Sequence, residues 1–134
     1  MTPVFADTSF YLSLLNPRDA AHAKASALAG EFRRPTIVTE FVLLEVGNAM
    51  SGSARGRDRF LALLERLTQS RRVTVIPATS ELFHRGVDLY RKRRDKGWSI
   101  TDCASFVIMK QMGLTEALTG DRHFEQAGFI VLLK

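Results

Sequence analysis

The sequence predicts an α/β fold: a three-layer α/β/α sandwich with a central five-stranded parallel sheet. Two observations carry this prediction. Five short apolar runs alternate with segments whose apolar residues recur at helical spacing. Alternation of that kind builds a parallel sheet through right-handed crossovers, with helices on both faces. The 134 residues suffice for one domain with a real core, expected to span 1–134, and are too few for two. No internal repeat or low-complexity linker breaks the pattern.

Taken in order, Pro3 to Ala6 is a first buried strand with Asp7 at its carboxyl end. Phe10, Tyr11, Leu12, Leu14 and Leu15 make a helical turn or two, stopped by Asn16-Pro17. Asp19 is placed to cap an alanine-rich helix from Ala20 to about Leu28, with Gly30 loosening its end and Pro35 barring continuation. Thr36-Ile37-Val38 is the second strand, and Thr39 fits the N-cap of the helix FVLLEVGNAM. Phe41, Val42, Leu43, Leu44, Val46, Ala49 and Met50 cover nearly its whole circumference, so it is expected to be buried. Ser51 to Arg57 reads as a mobile Gly/Ser/Arg loop, and Phe60, Leu61, Leu63, Leu64 and Leu67 as an amphipathic helix.

Val73 to Ile76 is the clearest strand, ended by Pro77. Thr79 or Ser80 starts the next helix, with Leu82, Phe83, Val87 and Tyr90 as its expected core face. Ala104 to Met112 is a largely apolar helix that Thr101 or Ser99 can cap, that Asp102 suits at its positive end, and that Gly113 terminates. Ala117-Leu118-Thr119 is a short buried strand, and Gly120-Asp121 delivers a carboxylate at its end. A short helical piece from Arg122 to Gln126 and a final strand from Phe129 to Leu133 close the chain.

The net charge is +5, and the excess lies in the second half. Its densest part is RKRRDKGW, where Arg91, Lys92, Arg93, Arg94 and Lys96 crowd the end of a helix. Such cations favour the helix C-terminal dipole, and they also suit contact with phosphates. No apolar run is long enough to span a membrane. The N-terminus has no basic stretch followed by an apolar one, so no secretory signal is expected. Cys103 is the only cysteine, which rules out an internal disulfide and suits a reducing cytoplasm.

Four acids are the candidate chemistry. Asp7 ends the first strand, Asp121 follows the fourth, Asp102 opens the helix before it, and Glu45 lies within the helix after the second. In open α/β sheets ligands gather at the carboxyl ends of strands. Singly, Asp102 can be a cap, Asp121 a turn residue and Glu45 a carboxylate on a wet edge beside Asn48. If the strands are neighbours, the four meet at one rim and repel. No matched set of Arg or Lys adjoins them in sequence, so a hard divalent cation, Mg²⁺ or Mn²⁺, is the expected remedy. CxxC and HExxH spacings are absent, which argues against zinc. A carboxylate-held metal beside a basic surface suits phosphodiester hydrolysis.

The residues ADTSF around Asp7, TEFVLLEVGNAM around Glu45, WSITDCASFVIMKQMG around Asp102 and ALTGDRHFEQAGF around Asp121 make the chain resemble the PIN-domain family. Within it, they resemble the VapC-type toxins of bacterial and archaeal toxin–antitoxin pairs. The resemblance covers nearly the full length and implies a Mg²⁺- or Mn²⁺-dependent endoribonuclease. Asp7, Glu45, Asp102 and Asp121 would then be ligands or water-positioning bases. Thr8, Ser9 and Thr119 would be supporting hydroxyls, with Arg91, Arg93, Arg94 and Lys96 contacting the RNA substrate. It also implies a homodimer and a small antitoxin that reaches the acidic site. Operator DNA would be engaged only through that antitoxin. His123 is expected to pack or hydrogen-bond in its turn, and Trp98 to anchor a helix entry, with base stacking as the other reading.

Two other classes remain open on residues alone. A phospho-receiver-like module also clusters acids at strand ends, but here the middle strand ends in Ile76-Pro77 with no aspartate. A non-catalytic RNA-binding module would use the basic patch without cutting.

Overall fold

The structure is a computed structural model describing residues 1–134. The elements are β1 (Val4–Ala6), α1 (Thr8–Leu15), α2 (His22–Glu31), β2 (Thr36–Thr39), α3 (Glu40–Ala49) and α4 (Ala54–Gln69). They continue as β3 (Val73–Ile76), α5 (Ser80–Lys92), α6 (Ile100–Gln111), β4 (Glu116–Leu118), α7 (Arg122–Gln126) and β5 (Ile130–Val131). The five strands form one sheet in the order β3-β2-β1-β4-β5, every pair parallel. The chain leaves β1 toward β2 on one side, and β4 toward β5 on the other. Strand order therefore reverses between β1 and β4, and a crevice opens at their carboxyl ends, where α/β folds bind ligands.

Register fixes what meets there. Phe5 pairs with Ala117 and Ala6 with Leu118, so Asp7 and Thr119 emerge side by side. The Asp7 backbone N–H donates to the Leu118 carbonyl at 3.1 Å and continues the ladder by one step. Val4, Phe5 and Ala6 are wholly buried, as expected for a central parallel strand. Behind the sheet, Phe5, Phe124, Phe106 and Trp98 form a chain of ring contacts, with centroids 6.2, 4.9 and 5.0 Å apart in turn. That chain seats α7 and the entry of α6.

Several local readings are corrected. Asp19 does not cap α2 directly; its Oδ1 accepts from the Ala21 N–H at 2.8 Å in the turn before it, so the helix starts at His22 and runs through Gly30 to Glu31. The expected loop at 51–57 is only a turn, because Ser53 accepts from the Gly56 N–H and starts α4 at Ala54. α3 is not buried all round: Val42, Leu43 and Val46 face the core, while Leu44 is 63% exposed. On α5, Phe83 and Tyr90 are 42% and 49% exposed, and Leu82 and Gly86 form the buried face. A Cβ on Gly86 would lie 3.2 Å from the Ala104 backbone nitrogen, so the two helices approach closely there. β5 is confined to Ile130–Val131 at the sheet edge.

Candidate active site

The pocket at the β1/β4 crevice is lined by Asp7, Thr8, Ser9, Glu45, Asp102 and Asp121, with Leu12, Gly97, Ser99 and His123 completing its wall. All four sequence-predicted acids and two of the three predicted hydroxyls therefore line it. Thr119 lies beneath, wholly buried, and reaches Asp7 from behind.

Each side chain arrives by a separate local device. Asp7 occupies the N-cap position of α1 but makes no side-chain cap. Its Oδ2 instead accepts from the Thr119 hydroxyl at 2.9 Å, with the Ser9 hydroxyl 3.3 Å away. The Ser9 and Thr119 oxygens are themselves 2.9 Å apart. Thr119 Oγ1 also accepts from the Asp121 backbone N–H at 3.0 Å, tying the two strand ends together. Glu45, half-buried on α3, accepts from the Thr8 hydroxyl at 2.6 Å, because α1 packs against α3. Asp102 is the third residue of α6 and half of a capping box. The Ser99 hydroxyl accepts from the Asp102 N–H at 2.9 Å, and Asp102 Oδ2 accepts from the Ser99 N–H at 3.1 Å. Ser99, not Thr101, is thus the cap. Asp121 caps α7, accepting from the His123 N–H at 2.9 Å.

His123 enters the site more directly than its turn position suggested. Its Nδ1 lies 3.3 Å from Asp102 Oδ2 and 3.4 Å from Asp121 Oδ1. Asp102, Asp121 and His123 can each present one ligand atom, all within 4.8 Å of one another. No spacing rule in the sequence marks this histidine. It reaches the acids because Asp121 starts α7 and the first turn of that helix swings the imidazole back over Asp102.

The electrostatics follow from burial. Asp7 is 3% exposed, and this pushes its pKa up to about 6; the Thr119 hydroxyl and the Thr8 N–H resist, while the charges of Asp102 and Asp121 add to the rise. Burial also raises the Asp102 pKa. The Ser99 N–H opposes that rise, the Asp121 charge adds to it, and His123 lowers it. No Lys or Arg forms an ion pair with any of the four acids. Convergent carboxylates, two of them raised by burial and by a neighbouring charge, with no Lys or Arg partner, are a donor set suited to a hard divalent cation.

The predicted RNA-contacting cations do not line this pocket. Arg91 pairs with Asp88 at 3.0 Å and Arg93 with Asp95 at 3.1 Å. Arg94 and Lys96 have no carboxylate partner.

Comparison with known proteins agrees with this architecture. The chain is 28% identical over 127 residues to the 23S rRNA-specific endonuclease VapC20 of Mycobacterium tuberculosis, covering 95% of each protein. The crystal structure of M. tuberculosis VapC20, described as a sarcin-ricin loop cleaving toxin, superposes with a TM-score of 0.85 at 27% identity, over 95% of this chain and 96% of that one. FitAcB from Neisseria gonorrhoeae shares the fold at a TM-score of 0.65 and 20% identity, over 96% and 95% of the two chains. The family model for the PIN domain matches residues 4–130. With β1 through β4 and the first residue of β5 inside that match and the acids at the sheet's switch point, this chain belongs to the PIN-domain family.

Proposed function

We propose that the chain is a divalent-metal-dependent endoribonuclease that hydrolyses RNA phosphodiester bonds as the toxin of a toxin–antitoxin pair. The convergence of Asp7, Glu45, Asp102 and Asp121 on one pocket carries this reading. The likeness to a 23S rRNA-specific endonuclease supports it. Asp7, Asp102 and Asp121 would hold Mg²⁺ or Mn²⁺, with Glu45 at the pocket's other side. When bound, such an ion neutralises charge at the scissile phosphate and lowers the pKa of the attacking water.

The chain's own residues do the rest. Thr119 and Ser9 fix the Asp7 carboxylate, so its rotamer does not depend on the ion. Thr8 aims Glu45, whose half-buried carboxylate is the base that takes the water's proton. Ser99 locks Asp102 through the capping box, and His123 donates to the Asp102 or Asp121 carboxylate. Arg94 and Lys96, unpaired, contact phosphates. A cognate antitoxin, homodimeric assembly and a cytoplasmic location belong to the same reading.

The test is cleavage of RNA by the purified chain. Cutting should require Mg²⁺ or Mn²⁺, stop with EDTA, and be lost in Asp7→Asn and Asp102→Asn variants that keep the parent's circular dichroism. A variant that cuts at the parental rate places the chemistry elsewhere.

A further inference from the structure

A second cavity, of about 550 Å³, lies between α5, α6 and α7, directly beside the acidic pocket. Its size is within the range of small-molecule sites. One wall is aromatic, made by Phe129 and the accessible edges of Trp98 and Phe106, which are 5% and 3% exposed, and the lining also carries Arg85, Lys92, Arg93 and Lys110. The only carboxylate in the lining is Asp88, and it is already bonded to Arg91 at 3.0 Å. Lys92 and Lys110 have no ion-pair partner.

Arg93 is built as a platform. Its Nε and Nη2 each donate to Asp95 at 3.1 Å, which fixes the guanidinium plane and balances its charge. Its central carbon sits 5.0 Å from the centre of the Trp98 ring, yet its side chain remains 41% exposed. Trp98 is held in turn by its indole N–H, which donates to Gln126 at 3.1 Å. A guanidinium with one face on an indole and another open is a surface for stacking a nucleobase. It contrasts with the unpaired lysines, which suit phosphate.

The cavity is also continuous with the proposed chemistry. Trp98 lines it, while its chain neighbours Gly97 and Ser99 line the acidic pocket. Gln126 lines it, while His123, one turn earlier on α7, lines the acidic pocket. The backbone of residues 97–99 is therefore the wall shared by the two pockets.

We propose that this cavity receives one unstacked nucleotide of the RNA substrate next to the scissile bond, its base against the Arg93–Trp98 stack and aromatic wall and its phosphate among Arg85, Lys92 and Lys110. The proposal rests on the endoribonuclease reading for its biological meaning. An aromatic wall and a charge-balanced planar platform favour a base over an acidic peptide.

Trp98 is the only tryptophan in the chain, so its emission reports the cavity directly. The chain in EDTA is titrated with 5′-AMP, 5′-GMP, 5′-CMP and 5′-UMP, with inorganic phosphate and with hexaglutamate, using free N-acetyltryptophanamide to correct for absorption. At least one nucleotide should quench saturably at millimolar concentration or below, and phosphate alone should not. The double variant Lys92→Ala/Lys110→Ala should raise the half-saturation concentration about tenfold. Absence of quenching, equal quenching by phosphate, or indifference to the double variant would overturn the proposal. Tighter binding of hexaglutamate would make the cavity a protein-docking site and overturn it too. If nucleotides quench but the chain never cuts RNA with Mn²⁺, the cavity stands and the nuclease reading falls. If the chain cuts but no nucleotide quenches, the cavity alone falls.

Discussion

Asp7 is the residue where stability and proposed activity pull against each other. Its carboxyl is at about 6 in the folded chain against an ordinary 3.8. Below 3.8 both folded and unfolded forms are protonated and the group contributes its full stabilisation. As pH rises from 3.8 to 6 the unfolded form ionises while burial keeps the folded carboxyl protonated, so up to about 3 kcal/mol is lost at 1.36 kcal/mol per pKa unit, the last part of it as pH passes 6. The chain in EDTA should therefore melt at a higher temperature at pH 5.5 than at pH 7.5. Asp7→Asn should raise the pH 7.5 melting temperature and flatten that dependence. An unchanged slope in the variant would assign the titration to another group. Much of this residue was readable in advance: an aspartate ending an apolar run is visible in VFADTSF, and so are the hydroxyls beside it. The Thr119 hydrogen bond was not, because it spans 112 positions and depends on β4 lying beside β1. His123 was hidden for a similar reason, since its nearness to Asp102 is made by the packing of α7 and not by spacing.

Among the elements, α6 is the clearest case of one motif doing two jobs. The Ser99–Asp102 capping box both starts the helix and aims a proposed ligand. Ser99→Ala should cost about 1 kcal/mol of stability, as cap removal does. It should also weaken Mn²⁺ binding measured by calorimetry; Ser99→Thr should restore both. If metal affinity is unaltered in Ser99→Ala, the box serves the helix alone. The α5–α6 contact depends on a missing side chain. Gly86→Val would push a Cβ toward Ala104, at 3.2 Å from its nitrogen, and overpacking of this sort destabilises by about 1–3 kcal/mol. Denaturant melts should show the loss, and Gly86→Ala should show less of it. That glycine is also why the core face of α5 was misread. Periodicity counts large apolar residues, so Phe83 and Tyr90 attracted the assignment, while a glycine chosen for closeness left no hydrophobic signal. The same blindness placed a loop at 51–57, where glycine and serine spacing concealed a cap and a first helical turn.

At the scale of the molecule, the fold was legible because alternation of apolar runs with helical segments nearly determines a parallel sheet. Strand order was not, and it is strand order that creates the crevice between β1 and β4. Charge adds a second long-range feature. Arg85, Lys92, Arg93 and Lys110 ring a cavity next to a cluster of acids, so an RNA strand would be drawn by one surface and processed by the other. Binding of a metal-free Asp7→Asn variant to single-stranded RNA should weaken steeply with salt, and removing both Lys92 and Lys110 should lower the log–log slope by about 1.4, at 0.7 per phosphate contact. A salt-independent affinity would mean that these cations do not touch the strand.

The bond from Thr119 to Asp7 joins the last eighth of the chain to the first. During synthesis the amino-terminal end emerges first and waits. Until β4 has left the exit channel and settled against β1, the acids are on loose ends and no cutting centre exists. On the endoribonuclease reading, a fragment that stops before β4 would lack both Asp121 and the Thr119 support of Asp7, and would not cut.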